Sequence, residues 1–134
     1  MTSTDSRGTQ SVNPVQQPEE PEPLLVGPDA DVDPTVSVVM PTMNEEEGVA
    51  ECIGLVKAAV RRSGYRTEVV ISDDSTDRTP DIAREEGAIV VEPDEPGYGY
   101  AYRYAFERCR GEYIIIGDAD TTYDFEQFPR LLKQ

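Results

Sequence analysis

Two acids one residue apart, Asp118 and Asp120, follow directly on the apolar run Ile114-Ile115-Ile116-Gly117. A run of this kind reads as a buried strand. A strand ending in Asp-x-Asp brings two carboxylates within reach of one hard divalent cation, directly or through water. With diphosphate oxygens completing an octahedron, the expected ion is Mg2+ or Mn2+, which would stabilise charge on a departing nucleoside diphosphate. The bland alternative is a solvated turn, since Asp favours loops anyway. Asp73-Asp74 follows a second apolar run, Val69-Val70-Ile71. A carboxylate there accepts hydrogen bonds from a base or ribose, and Asp73 is the better candidate. Alternatively one of the pair only ends the strand, while Asp77 caps the next helix. Thr42 to Glu45, after Pro41, can meet ribose and base in the same way, unless Asn44 is merely a cap. Gly97-Tyr98-Gly99 lets backbone approach a ligand closely, with a plain turn as the alternative. Arg103 and Arg108 could approach phosphates, but solvated helix charges are the default reading.

The elements that must position these residues alternate along the chain. Residues 36–40 form a β-branched strand that Pro41 stops. Asn44 is an N-cap for a helix with Glu45, Glu46 and Glu47 in its first turn, running to Ser63-Gly64. Residues 68–72 form a second strand. Asp77 opens a second helix, with Pro80 in its first turn and Gly87 at its end. Residues 88–92 form a third strand, 98–110 a helix ended by Gly111, 112–117 a fourth strand and 124–133 a further helical segment. This order predicts an α/β fold, a doubly wound, mostly parallel sheet with strand order 3-2-1-4. All four polar clusters then lie beyond the carboxyl ends of the strands, where such sheets bind ligands. Tyr100, Tyr102, Tyr104 and Phe106 alternate by two, which does not fit one helical face, so some of these rings are expected to be exposed or to cover the site.

The bulk composition bounds the function. The chain has 134 residues, 27 acids against 12 bases, no His and a net charge of −15. One domain is expected, at residues 34–134, after a disordered, acidic, Pro-rich tail at 1–33. The charge excludes a nucleic-acid binder working through a basic surface. A protein this acidic binds diphosphates through a metal. Ten of the twelve bases are Arg, and heavy acid with little Lys fits a salt-adapted, halophilic cytoplasm. Cys52 and Cys109 have no metal spacing and read as reduced core or helix residues. No run approaches the roughly 18 apolar residues of a membrane span, and the start lacks the apolar stretch of a signal peptide. The expected location is cytoplasmic.

Four segments together resemble the family 2 glycosyltransferases of GT-A fold. Val36-Ser37-Val38-Val39-Met40-Pro41-Thr42-Met43-Asn44-Glu45-Glu46 is similar to the family's opening strand and loop. Asp73-Asp74-Ser75-Thr76-Asp77-Arg78-Thr79 resembles its second segment, and Gly97-Tyr98-Gly99-Tyr100-Ala101 its glycine motif. Gly117-Asp118-Ala119-Asp120 resembles its metal motif. The order and spacing make the resemblance specific, and within the family it points to the dolichol-phosphate mannose synthase type.

The resemblance implies roles. Pro41, Thr42, Asn44 and Glu45 would line the nucleoside pocket, with Gly97 close to the ligand. Asp73, beside Asp74, would contact base or ribose. Asp118 and Asp120 would be the catalytic and metal-holding pair. Thr122 stands where the family's synthases carry a metal-binding Gln, and Met43 replaces a commoner Tyr. The implied reaction is metal-assisted, inverting transfer of a hexose from a nucleoside-diphosphate sugar to polyprenyl (dolichyl) phosphate. Family members run roughly a hundred residues further, so the domain is expected to be incomplete at its C-terminus and poorly active alone. Membrane association, at the inner face of the plasma membrane, would come through that missing part. Two alternatives stand beside this reading. One is a non-catalytic nucleotide-binding module or half of a split enzyme. The other is a haloacid-dehalogenase-type phosphatase with Asp118 as nucleophile, which needs its motif on the first strand and further motifs downstream.

Overall fold

The structure, a computed structural model, describes residues 24–117. Strands Val36–Thr42 (β1), Thr67–Asp73 (β2), Ile89–Val91 (β3) and Tyr113–Ile116 (β4) form one sheet in the order β3-β2-β1-β4. Every pairing is parallel. Parallel neighbours need long crossovers, and helices Val49–Ser63 (α1), Thr79–Glu85 (α2) and Tyr98–Phe106 (α3) supply them. The order is the one the alternation of elements predicts.

β1 and β2 are buried at every residue, which explains why they read as continuous apolar runs. Successive side chains nevertheless take opposite faces. Val36, Val38, Met40, Val69 and Ile71 join Ile53, Val56 and Val60 of α1 and Ala83 of α2 in the larger core. Val39 and Val70 point the other way, into a smaller core with Ala105 of α3, flanked by Tyr102 and Phe106.

Several boundaries differ from those expected, each for a local reason. β1 runs through Pro41 to Thr42. The Val39 carbonyl accepts from Gly117 N–H, so the period of two aims the Pro41 nitrogen at the same side, past the last ladder partner of β4 at Ile116. No ladder donor is lost there. Helix α1 starts at Val49, after Gly48, and Asn44 is not its cap. Asn44 has φ 56°, a left-handed conformation that Asn tolerates and that turns the chain before the helix. Glu45–Glu47 therefore precede the helix. Helix α1 ends as expected, on Gly64 at φ 75°. Leu24 and Leu25 pack on the larger core and Val26 is buried. Val26 N–H donates to Thr67 O at 2.8 Å, and Thr67 N–H to Leu24 O at 2.8 Å. The segment expected to be tail thus joins the sheet at residues 24–26.

Helix α3 stops at Phe106, four residues short of the expected end. The chain beyond it is drawn down by Glu68, which is fully buried in β2. Its carboxylate accepts from Ser37 Oγ at 2.6 Å, Arg110 N–H at 2.7 Å and Arg110 Nε at 3.0 Å. Gly111 N–H donates to the same Ser37 Oγ at 2.9 Å. A buried charge persists only when paired and hydrogen-bonded, and this one ties the start of β4 to the amino ends of β1 and β2. The opposite, carboxyl edge is left for the polar loops.

Candidate functional site

The loops after β1 and β2 are laced together. Asn44 N–H donates to Ser75 Oγ at 2.7 Å, and Asn44 Oδ1 accepts from Thr76 N–H at 2.9 Å. Glu45 N–H donates to Thr79 Oγ1 at 2.8 Å, and Arg78 N–H to Glu46 Oε1 at 3.0 Å. Asp77 accepts from both Thr79 N–H and Thr79 Oγ1. Burial pushes the Asp77 carboxyl up, but the Thr79 bonds and the Glu46 N–H outweigh it, and its pKa falls below the ordinary value. Asp77 therefore holds the start of α2, as expected, although the helix proper begins at Thr79.

The two acids of β2 part company for a geometric reason. Asp73 has the parity of Val69 and Ile71, so its side chain leaves the sheet toward the α1 side. There Oδ1 accepts from Thr42 Oγ1 at 2.7 Å and Ser75 Oγ at 2.6 Å, while Oδ2 accepts from Ser75 N–H at 3.1 Å. Asp73 is buried and engaged within the protein. Asp74, one residue on, is exposed.

On the α3 side lies a cavity of about 160 Å³. Its wall includes Pro41, Thr42 and Met43 after β1, Ser72 and Asp74 at the end of β2, and Pro93, Glu95, Gly97, Tyr98 and Ala101 around the start of α3. Gly97 has φ 109°, which a residue with a Cβ adopts only with strain. Tyr100 fastens this rim by donating its hydroxyl to Asp94. That bond, with burial and the nearby negative charge of Asp94 and Glu95 behind it, pushes the phenol up to about 12. The rings of α3 take separate tasks, as their spacing requires. Tyr98 lines the cavity, Tyr102 flanks the smaller core, and Tyr104 lies under Arg108, whose guanidinium carbon is 3.5 Å from the ring centroid.

Of the residues named from the sequence, Pro41, Thr42, Asp74 and Gly97 meet on this wall. Asn44 and Glu45 lie in the laced loops beside it, and Asp73 lies beneath the opposite face. Asp118, Asp120 and Thr122 lie outside the described residues, so no donor set for a metal is described. Among the described residues no group of three or more His, Cys, Asp or Glu could hold an ion. The residue before Asp118 is well placed: Gly117 N–H donates to Val39 O at 2.8 Å, and its carbonyl accepts from Tyr102 Oη at 3.2 Å. The Asp-x-Asp segment follows the fourth strand, not the first as the phosphatase alternative needs. Ser72, Glu95 and Tyr98 were not named from the sequence as cavity residues. Ser72 was legible in principle, since it is two residues beyond Val70 on the α3 face.

Comparison with known proteins agrees with this geometry. Residues 37–134 match the model of glycosyl transferase family 2. The chain is similar to the low-salt glycan biosynthesis hexosyltransferase Agl6 of Haloferax volcanii, with 64% identity over 109 residues, 81% of this chain and 26% of that protein. It is also similar to the dolichyl-phosphate hexose transferase of the same organism, with 42% identity over 98 residues, 72% of this chain and 41% of that protein. The chain thus spans about a quarter and two fifths of the lengths of these relatives. Among solved structures it resembles mannosyl-3-phosphoglycerate synthase from Rubrobacter xylanophilus, with TM-score 0.65 and 29% identity over 73% of this chain and 35% of that one. It also resembles glucosyl-3-phosphoglycerate synthase from Mycobacterium tuberculosis in complex with Mn2+, UDP and glucosyl-3-phosphoglycerate. There the TM-score is 0.63 and the identity 28%, over 75% of this chain and 39% of that one. The sheet is that of the GT-A fold, and the chain belongs to glycosyl transferase family 2.

Proposed function

We propose that this chain is the donor-binding part of a hexosyltransferase that moves a hexose from a nucleoside-diphosphate sugar to polyprenyl (dolichyl) phosphate, with inversion. The observation that carries the reading is the cavity at the carboxyl edge of the sheet, apolar along Pro41, Met43 and Tyr98 and acidic at Asp74 and Glu95. A flat base fits between such walls, and Asp74 accepts from a base or ribose donor at the rim. Gly97 lets backbone come close to the ligand. The solved synthase bound to Mn2+ and UDP supports a nucleoside diphosphate here. The similarity to a dolichyl-phosphate hexose transferase supports the acceptor.

The next residues in the chain, Asp118 and Asp120, with Thr122 or water, would hold Mg2+ or Mn2+. A bound ion would supply positive charge opposite the leaving diphosphate. In the transfer, an acceptor phosphate oxygen forms the new bond to the anomeric carbon from the face opposite the diphosphate. The old carbon–oxygen bond breaks and its electron pair leaves with the nucleoside diphosphate. The acceptor oxygen is already ionised, so no base has to remove a proton. Among the described residues no helix is long and apolar enough to cross a membrane. Contact with the lipid, at the inner face of the membrane, would come from parts of a longer protein. The share of its relatives that the chain spans favours a second reading, a donor-binding module that needs the remainder for transfer.

A transfer assay separates these. The chain is given UDP- or GDP-hexose carrying labelled sugar, Mn2+, and either dolichyl phosphate or 3-phosphoglycerate. Label in the lipid phase is expected, at a slow rate. Label only in phosphoglycerate would overturn the acceptor, and donor binding without transfer to either would leave the module reading.

A further inference from the structure

The carbonyl of Gly117 finds its donor outside the sheet. Gly117 is buried, and a buried carbonyl needs a donor. In a parallel ladder that donor comes from the neighbouring strand. Gly117 N–H reaches Val39 O at 2.8 Å, and Val39 is the register partner of Ile116. One step further in this register, the Gly117 carbonyl comes opposite residue 41. Pro41 has no N–H to give, so the ladder ends there. Tyr102 Oη of α3 meets the carbonyl instead, at 3.2 Å. The Tyr102 ring lies beside Phe106, with centroids 6.0 Å apart, and packs on the core of Val39, Val70 and Ala105. Gly117 is thus held on both sides, its N–H by β1 and its carbonyl by α3.

We infer that Tyr102 is a positioning residue for the metal-holding pair, and that its hydroxyl sets the direction in which the chain delivers Asp118 and Asp120. The inference rests on the donor-site reading above. Glycine has the most permissive backbone of any residue, and here it stands where the strand hands over to the two acids. The Gly117 carbonyl belongs to the peptide whose nitrogen is that of Asp118. A peptide is planar, so a bond to that oxygen restrains the last torsion before Asp118. The bond from Gly117 N–H to Val39 restrains only the peptide before it. Without the Tyr102 hydroxyl, rotation between the two peptides is left to the glycine. A small divalent ion that demands near-ideal octahedral geometry is sensitive to such freedom. Groups that orient its ligands matter to metal affinity although they never touch the metal. Tyr102→Phe keeps the ring against the core and removes only the hydroxyl.

The test uses the whole chain at high salt, as wild type, Tyr102→Phe and Tyr104→Phe. UDP and GDP are titrated into each by calorimetry, with and without Mn2+. Tyr104, whose ring lies under Arg108, is the control on the same helix. With Mn2+ present, Tyr102→Phe is expected to lower nucleotide affinity by about fivefold, the scale of one neutral hydrogen bond. Without Mn2+, its weaker affinity should equal that of wild type. Tyr104→Phe should match wild type in both conditions. Affinity in Mn2+ within about twofold of wild type, well short of one hydrogen bond, would overturn the assignment. So would an equal loss with and without Mn2+, since the hydroxyl would then support the fold and not the metal pair. A Tyr102→Phe chain without folded circular dichroism would overturn it for the same reason. If binding by folded wild type is absent or indifferent to Mn2+, the donor-site reading fails and this inference with it. That outcome is distinct from a Tyr102→Phe chain that uses Mn2+ as wild type does.

Discussion

Asp73 and Asp74 are adjacent in the chain and opposite in task, because a strand reverses its side chains at every residue. Asp73 is spent on Thr42 and Ser75, and Asp74 stands at the cavity. Asp74→Ala is therefore expected to weaken nucleoside-diphosphate binding by about tenfold or more, the scale of a hydrogen bond to a charged group, with little change in melting temperature. Asp73→Ala should instead lower the melting temperature, and thermal melts beside titration calorimetry check both. Asp77 makes a pH-dependent contribution. Its folded pKa lies below the ordinary 3.8, so the stability it adds is present above that value and is lost as pH falls through the folded pKa. Asp77→Asn should thus be less stable than wild type near neutrality. Melts run as a pH series should show the difference closing in acid, and a constant difference at all pH values would contradict the assignment.

At the scale of elements, the parallel sheet and its order follow from the regular exchange of β-branched runs with helical segments, and both were legible. What could not be read were the places where a tertiary partner decides. Asn44 looks like a helix cap, yet its side chain is taken by Thr76 across the loops. Helix α3 has helical spacing through Arg110, but Glu68 holds Arg110 and the Ser37 hydroxyl holds Gly111 away from it. The signal for that was a lone Glu inside Thr67-Glu68-Val69-Val70-Ile71, an acid that period two puts on a buried face. A Cβ on Gly111 would lie 2.7 Å from the Ser37 nitrogen. Gly111→Ala is therefore expected to destabilise the fold by about 1–3 kcal/mol. Glu68→Ala, which strands Arg110 and Ser37, should cost about 3 kcal/mol or more. Denaturant unfolding measures both, and a neutral Glu68→Ala would mean that the buried network does not anchor the connection. The cavity could be placed only as an edge of the sheet from the sequence, because its wall depends on which parity faces α3.

Among the described residues, the two sheet faces are unequally covered. Helices α1 and α2 pack on one and α3 on the other. Ile114 and Ile116 of β4 remain 44% exposed on the α3 side, opposite Ser37 and Val39 in register. The net charge of −15 opposes compaction at low salt. Raising salt from about 0.1 M to about 1 M shortens the screening length from about 10 Å to about 3 Å. The melting temperature should rise over that range, and a fall would count against salt adaptation. The central claim is that the carboxyl edge of this sheet holds a nucleoside diphosphate with a divalent ion. Its most direct test is calorimetric titration of UDP and GDP into the folded chain at high salt, with and without Mn2+, for wild type, Asp118→Ala and Asp120→Ala. Saturable binding that weakens at least tenfold without Mn2+ or in either variant is predicted. A chain with folded circular dichroism that takes up neither nucleotide, or binds equally well without Asp118 and Asp120, would contradict it.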